Sequence, residues 1–398
     1  ARIYSSMGMD VVKPFSFQNS RDGFYRLVSK VLEAQGKEHA TRVVIGMEPT
    51  GHYWKPLAWW LRYRGFTVVV VNPMVVKRHK EDHDNNPGKS DPKDTGIIAD
   101  LVLQGKFMES LLPRGIYAEL RGLSVTRRQQ KGKLNGGLNN LWAILDEFFP
   151  EFVTVFKDIL GKAALWVLEN IPFPEDIVSC SVEWVAERLK EAAGHRVGLK
   201  RAKRLREVAE KSIGVPEGLE AARIRLRSCL REIRFWEEEL EKTEEKMEEL
   251  LSRTGLGEIL LSIPGVGVVT AATFLGEIGD PAQYRHWRQI RSLAGLNLME
   301  NSSGQKKGAT KITKRGRPGL RCLLYQSALV LVARNPVFKE LYRYFLARKE
   351  NPLTKKEALV AIGLKLLRVM FKLVKSKELY DPSKVLGEYR RDQLKAVA

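Results

Sequence analysis

The chain has 398 residues, enough for two or three domains with cores of their own. Its 67 Lys and Arg against 47 Asp and Glu leave a formal charge of +20, spread along the chain, which favours an anionic polymer such as nucleic acid over a membrane surface. An apolar content of 44% excludes wholesale disorder, and no apolar stretch reaches the ~18–20 residues of a membrane span. The opening "ARIYSSMGMD" lacks the apolar core of a signal peptide, and Cys180, Cys229 and Cys322 have no C-x-x-C spacing, so neither a disulfide framework nor a zinc finger is indicated and a cytoplasmic location is expected.

Residues 1 to 112 read as alternating strands and helices. Val43–Met47 and Thr67–Val71 are β-branched runs suited to buried parallel strands, and "WKPLAWWLRYRG" between them reads as a helix closed by Gly65. This βαβ pattern predicts an α/β sheet. "EDHDNNPGKSDP" reads as a polar loop, and Asp94–Gln104 as a helix. Asp10 in "MGMDVV" and Glu48 in "VVIGMEPTGHY" sit at the ends of apolar runs, and Asp91 and Asp94 open the helix that follows, sharing one face at i and i+3. Acids at strand ends converge at one rim of an open sheet. Four carboxylates there repel one another unless a cation neutralises them, and hard oxygen ligands favour Mg²⁺ or Mn²⁺. Two such ions clamp the attacking and leaving oxygens in phosphodiester chemistry. The plain alternative for Asp91 and Asp94 is helix capping.

Residues 113 to 255 hold no convincing strand. Leu226, Leu230, Ile233, Leu240, Met247 and Leu251 form a coiled-coil-like seam, interrupted by Glu237 and Glu244. It serves either dimerisation or an antiparallel hairpin within the chain. Residues 256 to 398 read as helical again and open with "IPGVG" (263–267). Its Gly265 and Gly267 before an apolar helix fit either a phosphate-approaching helix-hairpin-helix or an ordinary helix joint.

From Ser302 to Arg321 the chain carries Lys306, Lys307, Lys311, Lys314, Arg315, Arg317 and Arg321 and no acid, with glycines at 304, 308, 316 and 319. A solvated charge run usually mixes signs, so this glycine-rich loop is predicted to bind phosphates. Ser303 before Gly304 places a hydroxyl in that cationic setting, but no general base stands near it in sequence. His79 and His83 stand at i, i+4 without a third soft ligand and read as a solvated or nucleic-acid-facing segment. Tyr53, Trp54, Trp59 and Trp60 read as helix core.

"GMD", "EPTGHYWKPLAWWL", "VVVVNP" and "KSDPKDTGIIADL" resemble the RuvC-like domain of the Piv-like DEDD insertion-sequence transposases, the one-ten family also called bridge recombinases. "SIPGVGVVTAATFLGEIGD", "AGLNLMENSSG" and "ITKRGRPGLRCLLYQSA" resemble that family's C-terminal transposase domain. The resemblance implies an α/β RNase H-like (RuvC-like) domain over 1–112, an all-α coiled-coil domain over 113–255 and a helical transposase domain over 256–398. It implies that Asp10, Glu48, Asp91 and Asp94 are the catalytic metal-binding tetrad, and that Ser303, or Ser302 beside it, is the nucleophile forming a phosphoserine–DNA link. It implies a bridge RNA that pairs with target and donor DNA, and a homo-oligomer, dimer or tetramer. The rival readings are a RuvC-like Holliday-junction resolvase using the tetrad alone and a non-enzymatic RNA- or DNA-binding protein. An RNase H-like sheet needs an antiparallel meander after Asp10. "DVVKPFSFQNSRDGF" leaves only a few residues before the Asn19/Ser20 helix cap, so a break in the chain near Val12–Lys13 or a reduced sheet is expected.

Overall fold

The computed structural model describes residues 1–84, 91–109, 113–194, 198–299 and 310–386, the side chains of 81–84, 91, 92, 108 and 109 excepted. The chain divides into two compact units, Ala1–Leu112 and Pro113–Ala398.

In unit 1, β1 (Ile3–Tyr4) and β2 (Asp10–Val12) pair antiparallel as a small hairpin. The chain runs on without interruption through Lys13 and Pro14, and the N–H of Phe15 donates to the carbonyl of Ala1 at 2.8 Å. Only this two-stranded hairpin precedes α1 among the described residues, the reduced sheet of the two expectations. Helix α1 (Arg21–Lys37) starts at Ser20, whose hydroxyl accepts the Gly23 N–H at 3.2 Å, a cap that stabilises a helix by about 1 kcal/mol. Strand β3 (Val44–Met47), helix α2 (Trp54–Tyr63) and strand β4 (Thr67–Val70) form the predicted βαβ unit, its two strands parallel, with Gly65 closing α2 at φ +86°. Helix α3 (Pro73–Asp84) occupies sequence with no expected helix and takes in the first residues of the expected polar loop. Its start is set by Asn72, whose side-chain oxygen accepts the Met74 N–H at 2.9 Å, and by Pro73 in the first turn. Helix α4 (Asp91–Leu103) and strand β5 (Met108–Glu109) complete the unit. The sheet order is β3-β4-β5, with β3 and β4 parallel and β5 antiparallel to β4.

The apolar sides of α1 and α2 close over the β3–β4 face around Leu27, Val31, Ala58, Leu61 and Val68. Helix α4 covers another part of the sheet, with Ile97 and Leu101 buried beside Val71 and Val76. Trp54 and Trp60 pack against the first of these cores as expected, whereas Tyr53 and Trp59 are 69% and 39% exposed. Close approach of α4 to β3 requires glycine at position 46, because a Cβ there would lie 2.5 Å from Val102 Cγ2.

Unit 2 is built on α5 (Ile116–Phe148). A cluster of shorter helices follows: α6 (Phe152–Val155), α7 (Lys162–Asn170), α8 (Pro174–Ser179), α9 (Val182–Ala193) and α10 (Leu199–Glu210). Helix α11 (Leu219–Arg253) then runs back along α5. Its direction is fixed by three contacts: Arg225 with Glu147, Cys229 Sγ with the Gly137 carbonyl, and Glu244 with Arg127. The seam is therefore an antiparallel pairing within the chain. Leu226, Leu230, Ile233, Met247 and Leu251 are buried, Leu240 is half-buried, and the two interrupting acids stay wet or paired. Glu237 is exposed, and Glu244 accepts from Arg127 Nε at 2.7 Å. Oligomerisation through this seam is corrected accordingly, because α5 already fills it.

The remaining elements are α12 (Gly257–Leu261), α13 (Val268–Ile278), α14 (Trp287–Ala294), the two-residue strands β6 (Leu298–Met299) and β7 (Lys311–Ile312), α15 (Pro318–Arg334), α16 (Pro336–Ala347), α17 (Lys355–Ser376) and α18 (Pro382–Val385). Helix α13 packs against α5, α11 and α15, and every residue from Ala271 to Ile278 is buried. No helix among the described residues is long and apolar enough to cross a membrane.

Gly46→Ala is expected to destabilise the protein by about 1–3 kcal/mol, the usual cost of overpacking, because Val102 is β-branched and stiff. Urea denaturation of the variant checks this; an unchanged midpoint would show that α4 yields freely.

Candidate functional site

The four acidic positions lie on β2, in the turn after β3 and in the first turn of α4. Asp10 opens β2 and lies in the hairpin, not at the end of a strand of the three-stranded sheet; the expected strand-end placement is corrected. Its carboxylate accepts two hydrogen bonds from Arg2, Nε to Oδ1 at 2.6 Å and Nη2 to Oδ2 at 2.5 Å. Those bonds hold the Asp10 carboxyl below its ordinary range. The same guanidinium reaches α4: a Cβ on Gly96 would stand 2.8 Å from Arg2 Nη1. Asp94 lies two residues earlier on that helix, and its Oδ1 meets the Lys80 ammonium of α3 in an ionic contact whose geometry supplies no hydrogen bond. Glu48 is the first residue beyond β3, half-buried, with the Thr50 N–H returning to its carbonyl at 2.9 Å in the expected tight turn. Asp91 opens α4, and its side chain lies outside the described residues.

The structure thus brings Asp10 and the start of α4 to either side of Arg2, and sets Glu48 at the end of the strand that α4 covers. Among the described residues, no group of three or more His, Cys, Asp or Glu stands together as a metal cluster. His79 lies on α3, and the His83 side chain is outside the described residues.

In unit 2, "IPGVG" is a tight joint between α12 and α13. Gly265 takes φ +97°, and Gly267 caps α13 with extended backbone and an open, exposed flank. Further on, β6 and β7 pair antiparallel, Leu298 with Ile312 and Met299 with Lys311. The predicted basic loop is therefore bracketed by a hairpin. Ser302, Ser303, Lys306 and Lys307 fall between those strands, outside the described residues.

The described part of the basic run divides in two. Lys311, Lys314 and Arg315 are exposed. Arg317 and Arg321 turn inward, correcting the expectation that they face nucleic acid. Arg321 Nη1 donates to the Ala294 carbonyl at 2.9 Å. Arg317 reaches the Glu277 carbonyl through Nη1 and stands 3.9 Å from Glu277 Oε2, while its own N–H donates to the Leu293 carbonyl at 2.7 Å. Burial, with Arg121 nearby, pulls the Arg317 guanidinium down to about 10. Burial also pushes the Tyr284 phenol beside it up to about 12.

Glu277 is the residue that sequence reading missed. It is 5% exposed and faces Arg128 of α5 at 3.6 Å as well as Arg317. Its signal was present as the one charged side chain in "VVTAATFLGEI", an otherwise uncharged helix. A charge inside such a helix is retained only with a partner.

Two transposase family models match the chain: the DEDD transposase model over residues 1–150, and the model described as the IS116/IS110/IS902 family over residues 257–343. The chain is 22% identical over 320 residues to an insertion element IS116 protein of 44.8 kDa from Streptomyces clavuligerus, covering 80% of this chain and 79% of that one. It is 41% identical over 71 residues to the transposase for insertion sequence element IS1111A of Coxiella burnetii, covering 18% and 20%. It is 27% identical over 156 residues to the pilin gene-inverting protein of Moraxella bovis, covering 37% and 47%. The first model spans the four acids and the second spans the joint, the hairpin and the basic run. With both halves matched in order, the chain belongs to the IS110/IS116/IS902 family of insertion-sequence transposases and is a DNA transposase.

Proposed function

We propose that the chain cuts and rejoins DNA by transesterification, with Ser303 as nucleophile and Asp10, Glu48, Asp91 and Asp94 as a divalent-metal tetrad on an RNase H-like unit. The observation that carries this is the arrangement around Arg2 and Lys80. Asp10 pairs with Arg2, whose guanidinium also reaches α4 beside Gly96, and Asp94 in the first turn of α4 pairs with Lys80. All four acids are hard oxygen donors, so the donor set suits Mg²⁺ or Mn²⁺. When bound, such an ion supplies charge neutralisation for a phosphodiester.

The protein's own part is to hold the strand and deliver the hydroxyl. Lys311, Lys314 and Arg315 lie exposed where β7 leads toward α15, and they neutralise phosphates near the serine loop. Ser303 Oγ attacks phosphorus and gives up its proton. One P–O ester bond breaks, and the leaving sugar oxygen takes a proton as a free hydroxyl. The phosphoserine ester keeps the bond energy, so a second hydroxyl rejoins the strand without an external energy source. Sequence is read by a guide RNA paired with target and donor DNA, while the protein binds shape and backbone. Recombination joins two DNA molecules, so the working assembly holds at least two copies of the chain.

The test combines purified protein, element-end DNA, Mg²⁺ and co-purified RNA and looks for a covalent protein–DNA band. Ser303→Ala is expected to abolish the band with folding intact. Its persistence there, with loss in Ser302→Ala, moves the role one residue; persistence in both favours a resolvase that uses the tetrad alone. Glu48→Gln is expected to slow the reaction by more than the roughly 10–100-fold typical of outer-shell changes, and EDTA to stop it; indifference to both would refute the metal tetrad.

The basic run gives a further expectation. Replacing Lys306, Lys307 and Lys311 by Ala should flatten the salt dependence of DNA binding by roughly one log–log unit per lost contact. Arg317→Ala should leave that slope unchanged and lower stability by about 3 kcal/mol, as removal of one partner from a buried pair does. Salt titrations and denaturation curves on the two variants separate these roles.

A further inference from the structure

The α1–α2 side of unit 1 carries a cleft of ≈ 420 Å³ whose walls include Ser20, Arg21, Phe24, Pro56, Trp60 and Arg64. None of these residues belongs to the acidic positions or to the serine loop. The Trp60 indole lines the cleft. Phe24 and Tyr25 meet it edge-on at 5.4 and 5.3 Å, and the Arg64 guanidinium lies over its face at 3.7 Å. Arg64 Nη2 also donates to the Tyr25 hydroxyl at 3.2 Å, and Arg21 stands 5.8 Å over the Tyr25 ring. Hydrogen bonds from Arg21 and Arg64 hold the Tyr25 phenol below its ordinary value, which records how positive this corner is. Ser20 and Arg21, at the start of the 17-residue helix α1, also line the cleft. Its first-turn N–H groups at Arg21 and Asp22 have no acceptor within the helix, and Asp22 is the one acid of that turn.

These features select a ligand with a flat face and a negative charge a few ångströms away. A guanidinium fixed against an indole is a planar cation on which a second ring can stack, and Phe24 and Pro56 supply apolar edges. Arg21 and the helix start supply charge-assisted donors for a phosphate. A duplex keeps its bases stacked inside and offers no free ring. We infer that the cleft takes one unpaired nucleotide of a single strand, its base stacked on the Trp60–Arg64 pair and its phosphate against Arg21 and the first turn of α1. The inference rests on the proposed function only in that the chain handles nucleic acid; it needs neither the tetrad nor the serine.

The test uses the full chain with fluorescein-labelled oligouridine RNA, oligothymidine DNA and a DNA duplex of equal length, the single strands also carrying 5-iodouracil for photocrosslinking. The crosslink is expected at Tyr25 or Trp60. Arg21→Glu with Arg64→Glu should weaken single-strand binding at least tenfold and change duplex binding by less than about threefold; both side chains are exposed, and an unchanged thermal melt verifies the fold. Arg64→Lys keeps the charge and removes the stacking plane, so it should lose the crosslink. A larger loss in the RNA arm assigns the strand to RNA, and a larger loss in the DNA arm to DNA. Crosslinks mapping elsewhere, equal losses on single strand and duplex, or a wild-type crosslink in Arg64→Lys would each overturn the inference. The Ser303 adduct is read separately, so its loss or survival does not touch this result.

Discussion

A carboxylate without access to water organises the C-terminal half of unit 2. Glu277 sits among buried apolar residues of α13, and desolvating such a group costs several kcal/mol unless cations are brought to it. Arg128 comes from α5 and Arg317 from the start of α15, so one charge ties three helices together. The consequence travels outward along the chain. With Arg317 anchored, its backbone N–H bonds to Leu293, the Thr313 N–H bonds to the Asn297 carbonyl at 2.8 Å, and the Arg321 side chain bridges the carbonyls of Ala294 and Lys314. The segment from β7 into α15 is thereby stitched to α14 and to the approach of β6. The two strands that bracket Ser303 have fixed ends because a buried acid two helices away required a partner.

Unit 1 meets the converse problem. Its acids lie near the surface of a small sheet, and each described one that faces a neighbour faces a cation. Arg2 is held by Asp10 and by the Tyr4 ring 5.0 Å away, and Lys80 comes from the helix that packs on α4. Monovalent side chains neutralise these carboxylates one at a time. In the proposed metal-bound condition, a divalent ion held by these carboxylates would take over that neutralisation.

Much of the N-terminal unit is legible in the sequence because its signals are local. Val44–Met47 and Thr67–Val70 are β-branched runs bounded by turns, and Gly65 closes the helix between them, so strand, helix and strand fall within a residue or so of expectation. Helix α3 escaped because Met74, Val75 and Val76 prolong the preceding apolar run; the start signal was the Asn72–Pro73 pair. The hairpin β6–β7 escaped because two residues per strand carry no periodicity. The partner of the α11 seam was not readable either: α5 has four glycines, at 122, 132, 136 and 137, which blur its apolar stripe. One of them, Gly137, is where the Cys229 thiol reaches the α5 backbone at 3.1 Å. Pairing between segments ninety residues apart is a tertiary fact that no local window contains.

The net charge of +20 overstates the surface available to an anion. Arginines are repeatedly committed to partners within the chain: Arg2 to Asp10, Arg223 to Asp176 and Glu175, Arg317 to Glu277, Arg321 to backbone carbonyls. A planar guanidinium satisfies two or three acceptors at once, which is what a buried acid or a chain crossing needs, whereas the compact ammonium of lysine is best left in water. Position in the sequence does not reveal this division, since Lys314, Arg315 and Arg317 are near neighbours and only the last turns inward. Arg64 belongs to neither group. It is exposed yet fixed on Trp60, already oriented before any ligand arrives, and an oriented cation loses little freedom on binding. Exposure and fixed geometry together, more than the count of basic residues, mark where a chain of this charge recognises an anion instead of merely attracting one.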